Sequence, residues 1–337
     1  PTASLESHAI ERLFERVRRV KASGVGILYI SHHLEEVYEI CDRATVLRDG
    51  NQVITAPVAE LDHERLVAAM VGGALARTTS EHAAPPDLVD APLRLSVRGL
   101  SAQTPLGSVE DVSLGVHAGE CVGLFGLRGS GTTVIADAVA GLVRPSAGEI
   151  ELDGKLLRPG KVDAALRRGV GYVPEDRHAR GFVPTLGVTE NLTLSILERL
   201  SRWGIVSSER RRDAADRIAR RLQIVASGGG QPLSELSGGN QQKVVVGRAL
   251  AAEPSLLVVV SPTVGVDVAS KEALLGVVDR ARRDGTAVLL VSDDLDELRI
   301  CTRVLVVHRG TIVRELRESP WNRHELIAAA EGLEVAA

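Results

Sequence analysis

The apolar positions of this chain follow two periods, and their alternation predicts its elements. Leu93–Leu100 reads LRLSVRGL and Val109–Val116 continues the pattern, the period-two spacing of strands with one buried face. Cys121–Phe125 and Leu256–Val260 are apolar at every position, as strands covered on both faces are. Helical spacing follows in VIADAVAGL after Thr133, from about Ser208 to Gln223, and in VVVGRALAAEP after Lys243. Val170–Asp176, VGYVPED, reads as a strand that breaks at Pro174, Thr189 is the expected cap of the next helix, and Gly228–Gln231 is a loop.

The pattern also repeats. Pro1-Thr2 matches Pro262-Thr263, and the offset of 261 holds through Gly24/Gly285 and Ser31/Ser292. After one deletion it is 260, pairing Cys41 with Cys301, Arg43 with Arg303 and Gly50 with Gly310. ILYISHHLEEV beside VLLVSDDLDEL is the clearest pair. A long repeat at nearly constant offset is the mark of tandem copies of one domain. Residues 93–261 precede Pro262, whereas Pro1 opens in mid-motif, so the chain reads as a truncated tandem protein rather than one with a short first domain. The expected organisation is 1–75, the C-terminal remnant of a first copy; 76–92, a linker; and 93–337, a second copy. The linker, ARTTSEHAAPPDLVDAP, has no periodicity and a Pro85-Pro86 pair that cannot continue a helix. The segment Ile27–Ile30 is expected to form a strand deprived of most of its sheet.

Two glycine-rich stretches stand where strands or loops give way to helices. Gly126–Thr133 reads GLRGSGTT between an apolar strand and a helix, an order that builds a phosphate cradle from inward N–H groups and a helix dipole. The phosphate-loop pattern GxxxxGK[ST] places a Lys before its hydroxyl residue. Here Thr132 stands at the Lys position, Thr133 keeps the hydroxyl, and Arg128 supplies a cation within the loop. Leu236–Lys243 reads LSGGNQQK; Ser237 can cap the helix that follows, while Gly238 and Gly239 let backbone approach an anion.

Together with LLVVVSPT, which ends at Thr263, these stretches resemble in order and spacing the three nucleotide motifs of an ABC-transporter ATP-binding domain. The NQQK ending is similar to the sugar-importer branch with tandem ATP-binding domains. The resemblance implies an α/β fold of the P-loop NTPase type: a RecA-like core, an antiparallel β-subdomain and a helical signature subdomain, preceded by the remnant of a second copy. It implies ATP and Mg²⁺ as ligands. Gly126, Arg128, Gly129, Ser130, Gly131, Thr132 and Thr133 would line the phosphates, with Thr133 toward the metal, and Glu175 falls at the Q-loop position. Ser237, Gly238, Gly239, Asn240 and Gln241 belong to a signature that closes over a γ-phosphate held by the opposite domain. Asp267 falls in the D-loop.

Four positions depart from that family's pattern. Thr132 replaces the Lys, Val260 the Asp that holds Mg²⁺ through water, Ser261 the Glu that polarises the attacking water, and Asp293 the switch His. A valine offers no oxygen to a hard cation, and an unassisted serine is no base near neutral pH. This copy is therefore not expected to hydrolyse ATP on its own residues, and nucleotide binding is expected to be weak. Through the repeat, His32 falls on the switch position of the first copy, where an imidazole can meet a γ-phosphate.

Composition narrows the partners. A formal net charge of −4 and 2% aromatic residues do not fit a dedicated nucleic-acid binder. Runs such as Glu209–Arg212 read as solvated helix faces. No apolar run approaches the ~18 residues of a membrane span, and PTASLESH lacks the regions of a signal peptide. Three cysteines far apart in sequence read as free thiols. The expected location is cytoplasmic, peripheral at the inner face of the cell membrane. The partners implied by the resemblance are transmembrane permease subunits, a periplasmic or extracellular sugar-binding protein and a second ATP-binding domain. The alternatives are a catalytically inactive regulatory module and a soluble non-transport ABC protein.

Overall fold

The computed structural model describes residues 7–31, 34–48, 51–62, 65–66, 69–70 and 91–333. They fall into two compact units, residues 1–80 with 265–273, and residues 81–264 with 274–337.

The larger unit is built on two sheets. Six strands run in the order Thr311–Leu316, Arg303–His308, Cys121–Phe125, Ala287–Val291, Leu256–Val260, Val170–Val173. All neighbours are parallel except the edge strand Thr311–Leu316, which returns antiparallel on Arg303–His308. Three of the four inner strands, Cys121–Phe125, Ala287–Val291 and Leu256–Val260, are buried at every residue, which explains their uninterrupted apolar sequence. A four-stranded antiparallel sheet, ordered Gly107–His117, Leu93–Thr104, Ala147–Leu152, Lys155–Leu156, shares one core with it: Val97, Leu100 and Leu114 join Leu124, Ile135 and Leu289. In open parallel sheets ligands bind beyond the carboxyl ends of the strands. Here that end gathers the residues after Phe125, Val260 and Val291 from three adjacent strands.

Helices Val188–Thr193, Ser208–Arg221 and Gly238–Leu250 form a third layer. Gly247 sets their approach, because a Cβ there would stand 2.7 Å from Leu222 Cδ1 and 2.8 Å from Leu192 Cδ2. The cap expected at Thr189 is instead at Gly187. Glu190 takes the Gly187 N–H at 2.7 Å, and Thr189, inside the helix, donates its own N–H to Gly229. The carboxylate three residues on thus decides the start of the helix.

Glu120 ties the parallel sheet to the antiparallel one. It is 1% exposed, receives Arg303 Nε at 2.6 Å and the His117 N–H at 2.8 Å, and Arg303 also donates to the Gly115 carbonyl. Burial pushes the Glu120 carboxyl up, but the bonds from Arg303 and His117 outweigh it and hold the group below its usual range. A carboxylate with a depressed folded pKa contributes stability that is present above its unfolded value, about 4.3, and is lost as pH falls through the folded value. The urea midpoint is therefore expected to fall below about pH 4, and Glu120→Gln should flatten that acid limb while lowering the plateau.

The cysteines depart from their separation in sequence. Cys121 and Cys301 are both fully buried with their Sγ atoms 3.6 Å apart, as free thiols. Burial, then Cys121, pushes the Cys301 thiol up, so Cys301 is not poised to react.

In the smaller unit Arg43–Arg48 and Asn51–Pro57 form an antiparallel hairpin over Val46, Leu61 and Leu66. Its register shifts between Val46 and Leu47, and the hairpin of the larger unit shifts at the matching positions of the repeat, Val306 and Val307. The strand expected at Ile27–Ile30 does not form. The segment is irregular, and Leu28 and Ile30 are 90% and 80% exposed. Its counterpart in the repeat, Ala287–Val291, lies between two strands, whereas among the described residues no strand flanks Ile27–Ile30. Without neighbours to take its N–H and C=O groups, an apolar segment gains nothing from extension. No helix among the described residues is long and apolar enough to cross a membrane.

Candidate functional site

The strand Cys121–Phe125 ends in a loop whose shape leaves no room for a side chain at Gly126 or Gly131. Gly131, at φ +106, precedes the helix Thr132–Val139, and a Cβ on it would lie 2.7 Å from Ser108 O. At Gly126 a Cβ would lie 2.4 Å from Ser130 Oγ and 2.6 Å from Val307 O. No side chain caps this helix, and the first N–H groups of any helix lack acceptors within it. Ser130 Oγ is buried with no hydrogen-bond partner among the described residues. A concave backbone with open donors and an orphaned hydroxyl fits an anionic group such as phosphate.

The cleft in front of this loop has a volume of about 180 Å³. It brings together Gly126, Arg128, Gly129, Gly131, Thr132 and Thr133 with Glu175, Ser261 and Asp293. Three loops after three adjacent strands and the Glu175 segment thus converge, as their positions in the sequence imply. Val260, one residue before Ser261, stays in the core at 1% exposure. Ser261 holds a left-handed backbone, φ +43, with its N–H on Val291 O at 2.8 Å. Behind it Thr263 gives its N–H and hydroxyl to the buried Glu297.

The charged side chains lining the cleft are one cation and two carboxylates: Arg128, Glu175 and Asp293. Arg128 is 94% exposed and lies 4.0 Å from Glu175, a solvated pair of small net worth. The cleft therefore offers phosphate a backbone cradle but no buried cation. For a divalent metal it offers the Thr133 hydroxyl and the two exposed carboxylates, and at Val260 nothing.

Sequence reasoning missed two features of this region. Leu106, in the turn of the antiparallel hairpin, also lines the cleft, and a leucine in a turn carries no motif. The second is a buried polar node. Asp137 on the loop's helix receives Tyr172 Oη at 2.5 Å and Arg180 at 3.1 Å, so the residues on either side of Glu175 are fastened to the helix that starts the cleft. Burial and then the Asp137 charge push the Tyr172 phenol up, so it stays a donor. Tyr172→Phe is expected to destabilise the larger unit by about 1.5–3 kcal/mol, the range for a hydrogen bond to a charged group, read as a lower urea midpoint with unchanged m.

The stretch Leu236–Lys243 does not line this cleft. Ser237 is the N-cap of the helix Gly238–Leu250 by backbone geometry, but its side chain accepts no helix N–H. Instead Asn240 Nδ2 donates to Ser237 Oγ at 3.0 Å, and Asn240 Oδ1 takes the Val225 N–H at 2.9 Å. Gln241 is buried and donates to the carbonyls of Leu233 and Leu236, and Lys243 donates to that of Gln223. The Asn240, Gln241 and Lys243 side chains thus brace the loop, leaving Ser237 exposed and the first turn of the helix without a side-chain cap. Asp267 caps the helix Val268–Arg283 by accepting the Ser270 N–H at 2.9 Å. His32 lies outside the described residues.

Residues 109–264 match the family described as ABC transporter. A ribose import ATP-binding protein of Rubrobacter xylanophilus is 43% identical over 334 residues, 99% of this chain and 63% of that protein. A protein of Agrobacterium fabrum named for import of ribose, galactose or methyl galactoside is 37% identical, over 100% of this chain and 66% of its own length. The chain thus spans less than two thirds of each relative. Among solved structures, a dimeric ATP-binding cassette in a post-hydrolysis state with ADP and phosphate superposes with a TM-score of 0.59 at 23% identity, over 67% of this chain and all of that one. A nucleotide-free cassette from an ABC transporter gives 0.59 at 20% identity, over 72% and 96%. At such identities these two likenesses concern the fold.

Proposed function

The chain belongs to the ABC transporter family, and on that premise we propose that it is ATP-binding machinery of a carbohydrate importer whose second domain mainly donates a signature. The observation that carries the reading is a contrast within one unit. The signature loop is braced by Asn240, Gln241 and Lys243, while the cleft before Gly126–Thr133 lacks the Lys, Asp and Glu of a working site. The carbohydrate class follows from the import proteins it resembles along its length.

In this reading bound ATP supplies the phosphoanhydride whose cleavage drives uptake, and Mg²⁺ screens its charge. The loop Gly126–Gly131 orients N–H donors toward phosphate, and Thr133 offers its hydroxyl to the metal. Thr132 leaves the outer phosphates without a counter-charge, Val260 gives the metal no ligand, and Ser261 cannot take a proton from water. The cleft then binds nucleotide weakly and does not turn it over. Ser237 and the N–H groups of Gly238 and Gly239 face a γ-phosphate held by an opposite ATP-binding domain, with His32 serving that same composite site. Asp267 lies at the contact between the domains. Permease subunits and a sugar-binding protein complete the assembly, which places the chain in the cytoplasm at the inner face of the membrane.

The test is complementation. A tandem relative's first ATP-binding domain, with intact P-loop and catalytic Glu, should hydrolyse ATP faster when this chain is added. The gain should vanish with Ser237→Arg, which fills the exposed signature face. Equal stimulation by wild type and Ser237→Arg would show that the signature is not the contribution.

A further inference from the structure

The short hairpin Ser201–Val206 presents a side chain the fold does not use. Its strands Ser201–Arg202 and Ile205–Val206 pair with Ser201 opposite Val206 and Arg202 opposite Ile205. The root is fixed, because Val206 packs on buried Ile196, Leu200 and Ala214. Side chains alternate across a strand, so the Arg202–Ile205 pair faces away from that cluster, and Ile205 is 75% exposed. Trp203 and Gly204 make the two-residue turn, at φ +57 and +80. Two successive left-handed residues define the hairpin turn that favours Asn-Gly, and a bulky residue at the first position is strained. A tryptophan nevertheless occupies it, 91% exposed, with no hydrogen bond or ring contact among the described residues.

An indole held at an unfavourable turn position, giving nothing to its own fold, points to a surface outside the chain. In the hairpin and the helices on either side of it, Arg199, Arg202 and Arg210, with Glu198 and Glu209, are exposed and make no ion pair among the described residues. An amphipathic ring and an aliphatic side chain beside unpaired guanidiniums match a membrane–water interface, where indoles sit at headgroup level and basic side chains are drawn to anionic lipid. We propose that the hairpin tip, Trp203 with Ile205 and Arg202, inserts into the headgroup layer of an anionic phospholipid membrane. This surface lies outside the nucleotide cleft, and the inference stands without the function proposed above.

The full chain contains two tryptophans, and the other, Trp321, is part-buried with its indole N–H on Leu298 O at 2.8 Å. In a Trp321→Phe background Trp203 alone reports. With mixed phosphatidylglycerol–phosphatidylcholine vesicles its emission should shift to the blue and be quenched by brominated acyl chains. Pure phosphatidylcholine should give little of either, and added salt should weaken both. Flotation of the unmodified chain with the same vesicles decides the question independently of the Trp321 change. Trp203→Asn suits the turn, so it should keep or raise the thermal midpoint while lowering partition by about tenfold or more. Equal partition of Trp203→Asn and wild type, equal binding to neutral vesicles, or no binding to anionic ones would each overturn the proposal. A blue shift seen only when the vesicles contain permease protein would also overturn it and assign the tip to a protein contact.

Discussion

Thr132→Lys should tighten binding of Mg-ATP to this chain by roughly ten- to a hundredfold. Thr132 begins the helix after the glycine loop and lines the cleft, so an ammonium there would reach phosphates placed before that loop. A hydrogen bond to a charged group contributes about 1.5–3 kcal/mol, and about 1.4 kcal/mol is tenfold in affinity. The cleft now sets one exposed cation against two carboxylates, so an added positive charge also neutralises its excess of negative charge. Turnover should not return with affinity, because Val260 and Ser261 still supply neither metal ligand nor base. Adding Val260→Asp places a carboxylate at a position 1% exposed, and an unpaired buried charge is costly. The triple variant Thr132→Lys, Val260→Asp, Ser261→Glu should therefore be less stable without nucleotide than with Mg-ATP, which a thermal shift measures. If neither affinity nor turnover responds to the triple change, the regulatory-module reading gains over a nucleotide-binding one.

The largest stability effect is expected away from the cleft. Arg303→Ala should cost the larger unit about 3–5 kcal/mol, because it strands Glu120 as a buried charge without its partner. Glu120 would keep only its contacts to the His117 N–H and imidazole, and the Gly115 carbonyl would lose the Arg303 donor. With domains of ordinary stability near 5–15 kcal/mol, that loss should halve or abolish folding at elevated temperature. Arg303→Ala together with Glu120→Leu should be much less damaging than Arg303→Ala alone, since it removes the stranded charge. Equal losses in the single and double variants would mean that Arg303 acts through packing. The repeat places Arg43 at the matching position, but Arg43 lies on an exposed hairpin edge and should tolerate alanine.

Local signals carried much of this architecture. Cys121–Phe125 and Leu256–Val260 are legible to the residue because total burial requires apolar side chains throughout. The glycine loop is legible because steric demands at Gly126 and Gly131 exclude any other side chain. What sequence misses depends on partners distant in the chain. The helix cap moved from Thr189 to Gly187 because Glu190 and Gly229 take the competing bonds. Ile27–Ile30 reads as a strand, but a strand is stable only beside another, and its own residues say nothing about neighbours. The Asp137–Tyr172–Arg180 node and the Cys121–Cys301 contact join residues whose proximity only the folded sheet creates. In the NQQK run sequence suggested ligand contacts for Asn240 and Gln241, whereas their side chains are engaged with the loop around them.

The cleft before Gly126–Thr133 is expected to bind nucleotide weakly and not to hydrolyse it. Equilibrium titration of the 337-residue chain with fluorescent ATP and Mg²⁺, followed by phosphate release from the same samples, tests it most directly. Binding weaker than micromolar and no Mg²⁺-dependent release above background are expected; micromolar binding with steady turnover would mean that the cleft is a working ATPase site.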